Sequence, residues 1–241
     1  MNSASPSGSP PKRSALLGTP TNVSEPAYEY LLSSILTWVE NECHRQYQQL
    51  KNKKNLQENK ENEKHTDVKD QSKGASKQDE SMTQEKAEEL VMIAENAAAK
   101  MERMGYDVGY RLSERLAQNK PMSSNTSGGK KATPAMIQLE AVKFICKEFW
   151  SEVFRKQVDK LQTNHRGVFV LKDLQFQWLK RLPADVEMAR IMAIKILAFP
   201  CGLIRGALSN LGINTVVSCD FLADGKNMSA CSFNIKVKST T

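Results

Sequence analysis

The sequence predicts an α+β domain, with helices packed on a four-stranded antiparallel sheet made of two hairpins. Three observations carry this prediction. Several long stretches repeat apolar residues at spacings of three and four, the period of an amphipathic helix. Cys231, Phe233, Ile235 and Val237 alternate with Ser232, Asn234, Lys236 and Lys238, the period of a half-buried strand. The strand-like runs also come in pairs joined by short turn segments, which favours hairpins over crossover connections.

Residues 1–23 are rich in Ser, Pro, Gly and Thr and offer too little apolar surface to offset the entropy of ordering, so a disordered tail is expected there. A single domain then fills residues 24–241. Its first helix opens at Ser24 as N-cap, with Glu25 and Pro26 suited to the first turn. Tyr28, Leu31, Leu32, Ile35, Leu36, Val39, Cys43 and Tyr47 form one apolar stripe along it, with Trp38 at the edge. From about residue 51 to 85 almost every side chain is charged or polar and no apolar period persists, so a disordered insert is expected.

A second helix spans roughly 86–118, with Leu90, Ile93, Ala94, Ala97, Met101, Met104, Val108, Leu112 and Leu116 in helical rhythm. Within it, Gly105 and Gly109 stand four residues apart and mark a kink, a short break or a tight helix crossing. A second disordered insert is expected at about 119–135, which holds Pro121, Gly128, Gly129 and Pro134. A third helix follows from about Ile137 to Leu161, apolar over a wide arc and so expected to be sandwiched.

The period then shortens. Residues 167–171 read as a strand, Lys172-Asp173 as a turn and Phe176–Leu179 as the returning strand. Pro183, Asp185 and Glu187 open a fourth helix that runs through Ile191, Ile194 and Leu197. Pro200 should kink or restart it, because proline lacks the backbone donor. Beyond lie Gly202 and Gly206 on one face, expected to let the sheet or the third helix approach closely. Gly212 reads as the residue just past the helix end, with Ile213 folding back. Two alternating strands close the chain, one through Val217, Cys219 and Phe221, joined to the last by a turn at Asp224-Gly225.

Composition narrows the function. The formal net charge is +7, but Lys and the acidic residues nearly balance in the most charged stretch. No concentrated basic face with interleaved aromatics is present, which argues against nucleic-acid binding. The excess of Lys and Arg over residues 119–181 leaves peripheral contact with an anionic membrane open. The five cysteines lie apart, with no CxxC pair and only three scattered histidines, so no metal site or cofactor is expected. Cys146, Cys201 and His165 lack any nucleophile–base pairing, and no catalytic residues are assigned. The first twenty residues lack the apolar core of a secretory signal, and the apolar stretch from Ile191 to Leu211 is interrupted by Lys195, Pro200 and Arg205. A cytoplasmic location is the expectation.

With the elements in place, four segments resemble a known family. Met104-Gly-Tyr-Asp-Val-Gly-Tyr-Arg-Leu112 is similar to its M-G-[FY]-x-x-G-x-[RG]-L segment. Phe144-Ile-Cys-Lys-Glu-Phe-Trp150, Gln162-Thr-Asn-His-Arg-Gly167 and Cys201-Gly-Leu-Ile-Arg-Gly-Ala-Leu-Ser-Asn-Leu-Gly212 follow in the family's order. Together they resemble the small subunits of TRAPP, the transport protein particle, in the sixth-subunit branch. The resemblance covers about 26–50, 86–118 and 137–238.

That resemblance implies a non-catalytic subunit of a tethering complex that acts between endoplasmic reticulum and Golgi, peripheral to both membranes. As an assembly, the complex promotes nucleotide exchange on a Rab GTPase. It also implies pairing through the first two helices with a paralogue of the third-subunit branch, and association with other TRAPP subunits. Leu31, Leu32, Ile35, Leu36 and Val39, with Leu90, Ile93, Ala97 and Met101, are then the interface candidates. One departure stands out: the partner branch carries an acylated cysteine shortly after its G-x-R-L segment, whereas residues 113–141 here contain none. No covalent lipid is expected, and the core should be filled by side chains. The alternative reading is a peripheral membrane-binding or small-ligand-binding α+β module.

Overall fold

A computed structural model describes residues 25–62, 78–119, 133–164, 166–183, 185–222 and 227–238. The expected tail, the centres of both expected inserts, His165 and the Asp224-Gly225 turn lie outside the described residues. Two long helices come first, α1 (Glu25–Asn62) and α2 (Gln78–Asn119). Both reach into the stretch expected to be disordered. Its Lys, Glu and Gln residues are good helix formers, so helix continues there although the apolar period stops. Leu50 and Leu56 in the distal half of α1 are accordingly exposed.

Thr133 caps the next helix, its hydroxyl accepting from the Met136 N–H, with Pro134 at the first helical position. This helix, α3 (Pro134–Phe144), passes through a π-helical turn at Ile145–Phe149 into α4 (Trp150–Phe154). In the wide turn the Trp150 N–H reaches back to the Ile145 carbonyl. The Cys146 carbonyl instead accepts the Val158 N–H at 3.1 Å, which fastens the departing chain to the helix. The expected end near Leu161 is therefore corrected. Arg155 takes the left-handed conformation (φ 57°) and stops the helix at Phe154.

The chain after Arg155 becomes strand β1 (Lys160–Thr163), which pairs antiparallel with β2 (Val168–Asp173). The Asn164 side chain accepts from the Arg166 and Val168 N–H groups and shapes the turn, and Gly167 supplies φ 81°. So the first hairpin is β1–β2, and the returning strand expected at Phe176–Leu179 is instead a single 3-10 turn, Gln177–Leu179. The reason lies at Asp173, which is buried. Its Oδ1 accepts from Lys156 Nζ (2.7 Å) and from the Gln175 N–H (3.0 Å), while Oδ2 accepts from Trp150 Nε1 (3.2 Å). These bonds turn the chain sharply where a strand would have continued.

Asp185 caps α5 (Val186–Asn210), accepting the Met188 N–H at 2.7 Å. The helix runs through Pro200 without a restart, held by close backbone contact with α2 on either side of the proline, at Phe199 and Gly202. Past its end Gly212 has φ 80°, and the Ile213 N–H returns to the Leu208 carbonyl at 2.9 Å, closing the helix. Strands β3 (Thr215–Phe221) and β4 (Cys231–Val237) follow. The sheet order is β1-β2-β4-β3, antiparallel throughout, with Cys219 opposite Phe233. This is the α+β fold with a four-stranded sheet that the sequence predicts.

One sheet face, through Phe169, Leu171, Val217, Phe233 and Ile235, packs into the core with α5, while Ser218, Asp220 and Lys236 face outward. Trp150, Phe154, Phe176, Trp178 and Phe233 stack edge-to-face or tilted, with centroids 4.4 to 6.3 Å apart. Among the described residues one helix, α5, is long and apolar enough to cross a membrane, but most of its apolar window is buried inside the fold.

Lys156 and Asp159 join the Asp173 cluster, with Lys156 Nζ 3.1 Å from Asp159 Oδ2 and the Leu174 N–H donating to the same oxygen at 2.7 Å. Burial works against the charged form of Asp159, but the Leu174 N–H and Lys156 outweigh it and hold the carboxyl below its ordinary value of 3.8. Burial likewise acts against charged Lys156, but its bonds to Asp173 and Asp159 prevail and raise its value. A lowered carboxyl stabilises the fold above its unfolded value, and that contribution is lost as pH falls through the folded one. The melting temperature of the native chain should therefore exceed that of Asp159→Asn at neutral pH, and the gap should narrow as pH falls below 3.8. A gap that stays constant across that range would contradict this role.

Candidate interaction surface

Two helix contacts set the surface. In the first, α2 crosses α5 through four glycines that interlock. A Cβ on Gly202 would lie 2.0 Å from the Glu102 carbonyl oxygen, and one on Gly206 2.1 Å from that of Tyr106. Reciprocally, a Cβ on Gly105 would meet the Phe199 oxygen at 2.2 Å and one on Gly109 the Leu203 oxygen at 2.2 Å. The glycine face of α5 thus lies against α2, not against the sheet or the third helix as expected. A flat backbone-on-backbone contact needs small residues on both helices, and only α2 carries the matching pair.

Polar groups pin the rim of this crossing. Arg205 Nε lies 2.9 Å from Glu102 Oε1, and its guanidinium sits 4.8 Å from the Tyr106 ring centroid. The Tyr106 hydroxyl donates to Ser209 Oγ at 2.9 Å. A further ion pair joins Lys195 of α5 to Glu40 of α1.

In the second contact α1 lies along α2, and here the nine interface candidates separate. Leu36, Val39, Ile93, Ala97 and Met101 are buried in the chain's own core, beside Cys43. Leu32 and Ile35 are half-buried against it. Leu31 and Leu90 remain 57% and 68% exposed. The nine candidates are thus mainly the seam between α1 and α2, and Leu31 and Leu90 are the ones left in solvent. Gln48 to Glu89 (3.0 Å) and Lys100 to Gln46 (3.0 Å) bridge the seam's border.

Sequence reasoning missed the larger exposed apolar residues. Trp38 is 61% exposed on α1, and Tyr30 also stands open there. Val91 and Met92 join Leu90 on α2, and Met188, Ile191 and Ile194 are bare on the first half of α5. Trp38 stands at the edge of the stripe, and a large apolar residue at the margin of the buried face was the available signal. Between α1, the 3-10 turn and α5 lies a recess of about 200 Å³, lined by Leu32, Leu36, Trp178, Arg181 and Ile196 among others.

Nothing in this region is arranged for metal binding among the described residues. Cys146 lies in the π-helical turn, where burial pushes its thiol up to about 12, so it is not a thiolate at neutral pH. The architecture therefore defines an α+β domain whose helical layer leaves apolar side chains uncovered along α1 and α2.

The comparisons with known proteins give that class its family. The sequence matches the family described as "Transport protein particle (TRAPP) component" over residues 28–238. Trafficking protein particle complex subunit 6b of Danio rerio is 40% identical over 140 residues, spanning 58% of this chain and 78% of that one. Subunit 6B of Homo sapiens is 40% identical over 139 residues (58% and 77%), and subunit 6A of Homo sapiens 36% over 137 residues (57% and 76%). Among solved structures, a trafficking protein particle complex subunit 3 from Naegleria fowleri, covalently bound to palmitic acid, overlaps with a TM-score of 0.44 at 16% identity, covering 61% of this chain and 82% of that one. The chain belongs to the TRAPP component family, within the branch of its sixth small subunit.

Proposed function

We propose that this chain is a scaffold subunit of a TRAPP-type tethering complex. It pairs with a paralogue of the third-subunit branch and with other TRAPP subunits. In this reading the assembly acts in traffic between endoplasmic reticulum and Golgi, peripheral to their membranes, and promotes nucleotide exchange on a Rab GTPase. The chain itself contributes no catalytic group and no acyl-carrying cysteine. Family membership supports the complex, and the observation that carries the pairing is the exposure of apolar residues on both α1 and α2: Leu31, Trp38, Leu90, Val91 and Met92. Exposed apolar side chains cost free energy in water, and a second helical pair laid across them removes that cost.

Affinity purification of the full-length chain from its native cells under mild conditions, followed by identification of the co-purifying chains, tests this reading. Stoichiometric recovery of a third-subunit paralogue together with other TRAPP subunits is the expected result. Recovery of the chain alone, with no TRAPP subunit in stoichiometric amount, would overturn it.

A further inference from the structure

Three of the five cysteines meet where α5 lies on the sheet, away from the surface described above. Cys201 is on the buried face of α5, and Cys219 and Cys231 are on β3 and β4. The alternation along β3 points Thr215, Val217, Cys219 and Phe221 inward, toward the helix. This brings the Cys219 thiol into hydrogen-bond contact with that of Cys201. Both thiols are free. Strand β3 is an edge strand, paired on one side by β4 alone. That is why Cys219 is only half-buried, whereas Cys43, Cys146, Cys201 and Cys231 are buried.

We propose that Cys219 and Cys201 form a peroxide-sensitive dithiol, which closes into a disulfide joining α5 to the edge of the sheet. The division of labour follows from position. Cys219 is the one oxidants reach, and Cys201 is the neighbour held ready behind it. The hydrogen bond donated by Cys201 favours the thiolate of Cys219 and lowers its value, against the opposing effects of burial and of Asp220. The same bond, then burial, then the charges of Cys219 and Glu102 keep Cys201 protonated.

The oxidant is hydrogen peroxide or an organic hydroperoxide. The Cys219 thiolate attacks one peroxide oxygen, the O–O bond breaks, and the departing hydroxide takes up a proton to leave as water. Cys219 is now a sulfenic acid. The Cys201 sulfur then attacks the Cys219 sulfur and the S–O bond breaks. The departing hydroxide takes the Cys201 proton as a second water. In total two thiols are oxidised by two electrons and one hydrogen peroxide is reduced to two waters.

The proposal is independent of the assembly reading, because its test needs no partner. The full-length chain is treated with about one equivalent of hydrogen peroxide and digested without reduction. The expected product is about 2 Da lighter than the untreated chain, with the Cys201 and Cys219 peptides cross-linked. Before oxidation, Cys219 should react with a thiol reagent faster than the other four cysteines in the native protein. In Cys201→Ser the Cys219 sulfenic acid should persist and be trapped by a cyclic 1,3-diketone, while Cys219→Ser should give neither adduct nor cross-link. The native chain decides the matter even if a variant fails to fold. A cross-link between other cysteines, or Cys219 labelled no faster than Cys146 or Cys231, overturns the proposal.

Discussion

Gly206→Ala is expected to lower the unfolding free energy by about 2 kcal/mol, although alanine is the better helix former by about 1 kcal/mol. The new Cβ would sit 2.1 Å from the Tyr106 carbonyl oxygen, and the clash is with backbone, so no rotamer change relieves it. The helices would have to move apart along the crossing, and that also strips the neighbouring contacts at Gly105, Gly109 and Gly202. Urea denaturation of the isolated chain, with an unchanged slope, measures the loss. Gly212→Ala is the internal control. It meets nothing within 4 Å, and its φ of 80° costs only about 1 kcal/mol. A Gly206→Ala protein as stable as the parent would show that the crossing is looser than described.

The second large effect concerns pairing. Trp38→Asp and Leu90→Asp are each expected to weaken binding to the third-subunit paralogue by at least 30-fold, or about 2 kcal/mol, and to leave the melting temperature of the isolated chain nearly unchanged. Both side chains are exposed, so their replacement removes nothing from the core, whereas a charge buried at a partner seam is left unpaired. Titration calorimetry reads the affinity. Ile93→Asp cannot serve the same purpose, because Ile93 lies in the chain's own core and a charge there would test folding. Full affinity in both surface variants would remove α1 and α2 as the pairing face.

Much of this fold was legible because each element carried its own period. The strict alternation at 231–237 became β4, and the helical stripes became α1, α2 and α5. The sequence misled wherever a long-range contact overrode the local pattern. Phe176–Leu179 has the composition of a strand, but Asp173, fixed by Lys156 and Trp150, turns the chain there. Pro200 reads as a kink or a restart, and the packed crossing carries the helix through it without a restart. The pairing of the two glycine motifs was also hidden. Each showed a face suited to close approach, but nothing in either motif says which helix the other face belongs to.

The candidate surface was half legible for the same reason. An apolar stripe announces that a helix face is covered, not what covers it. Leu36, Val39, Ile93, Ala97 and Met101 turned out to be covered from within, while Trp38, at the edge of the stripe, is open to solvent.

Light scattering coupled to size exclusion, on the full-length chain mixed in equal amounts with the third-subunit paralogue at micromolar concentration, tests the pairing most directly. One peak at the summed mass of one copy of each is predicted. Two peaks at the separate masses, with both proteins folded, would contradict it.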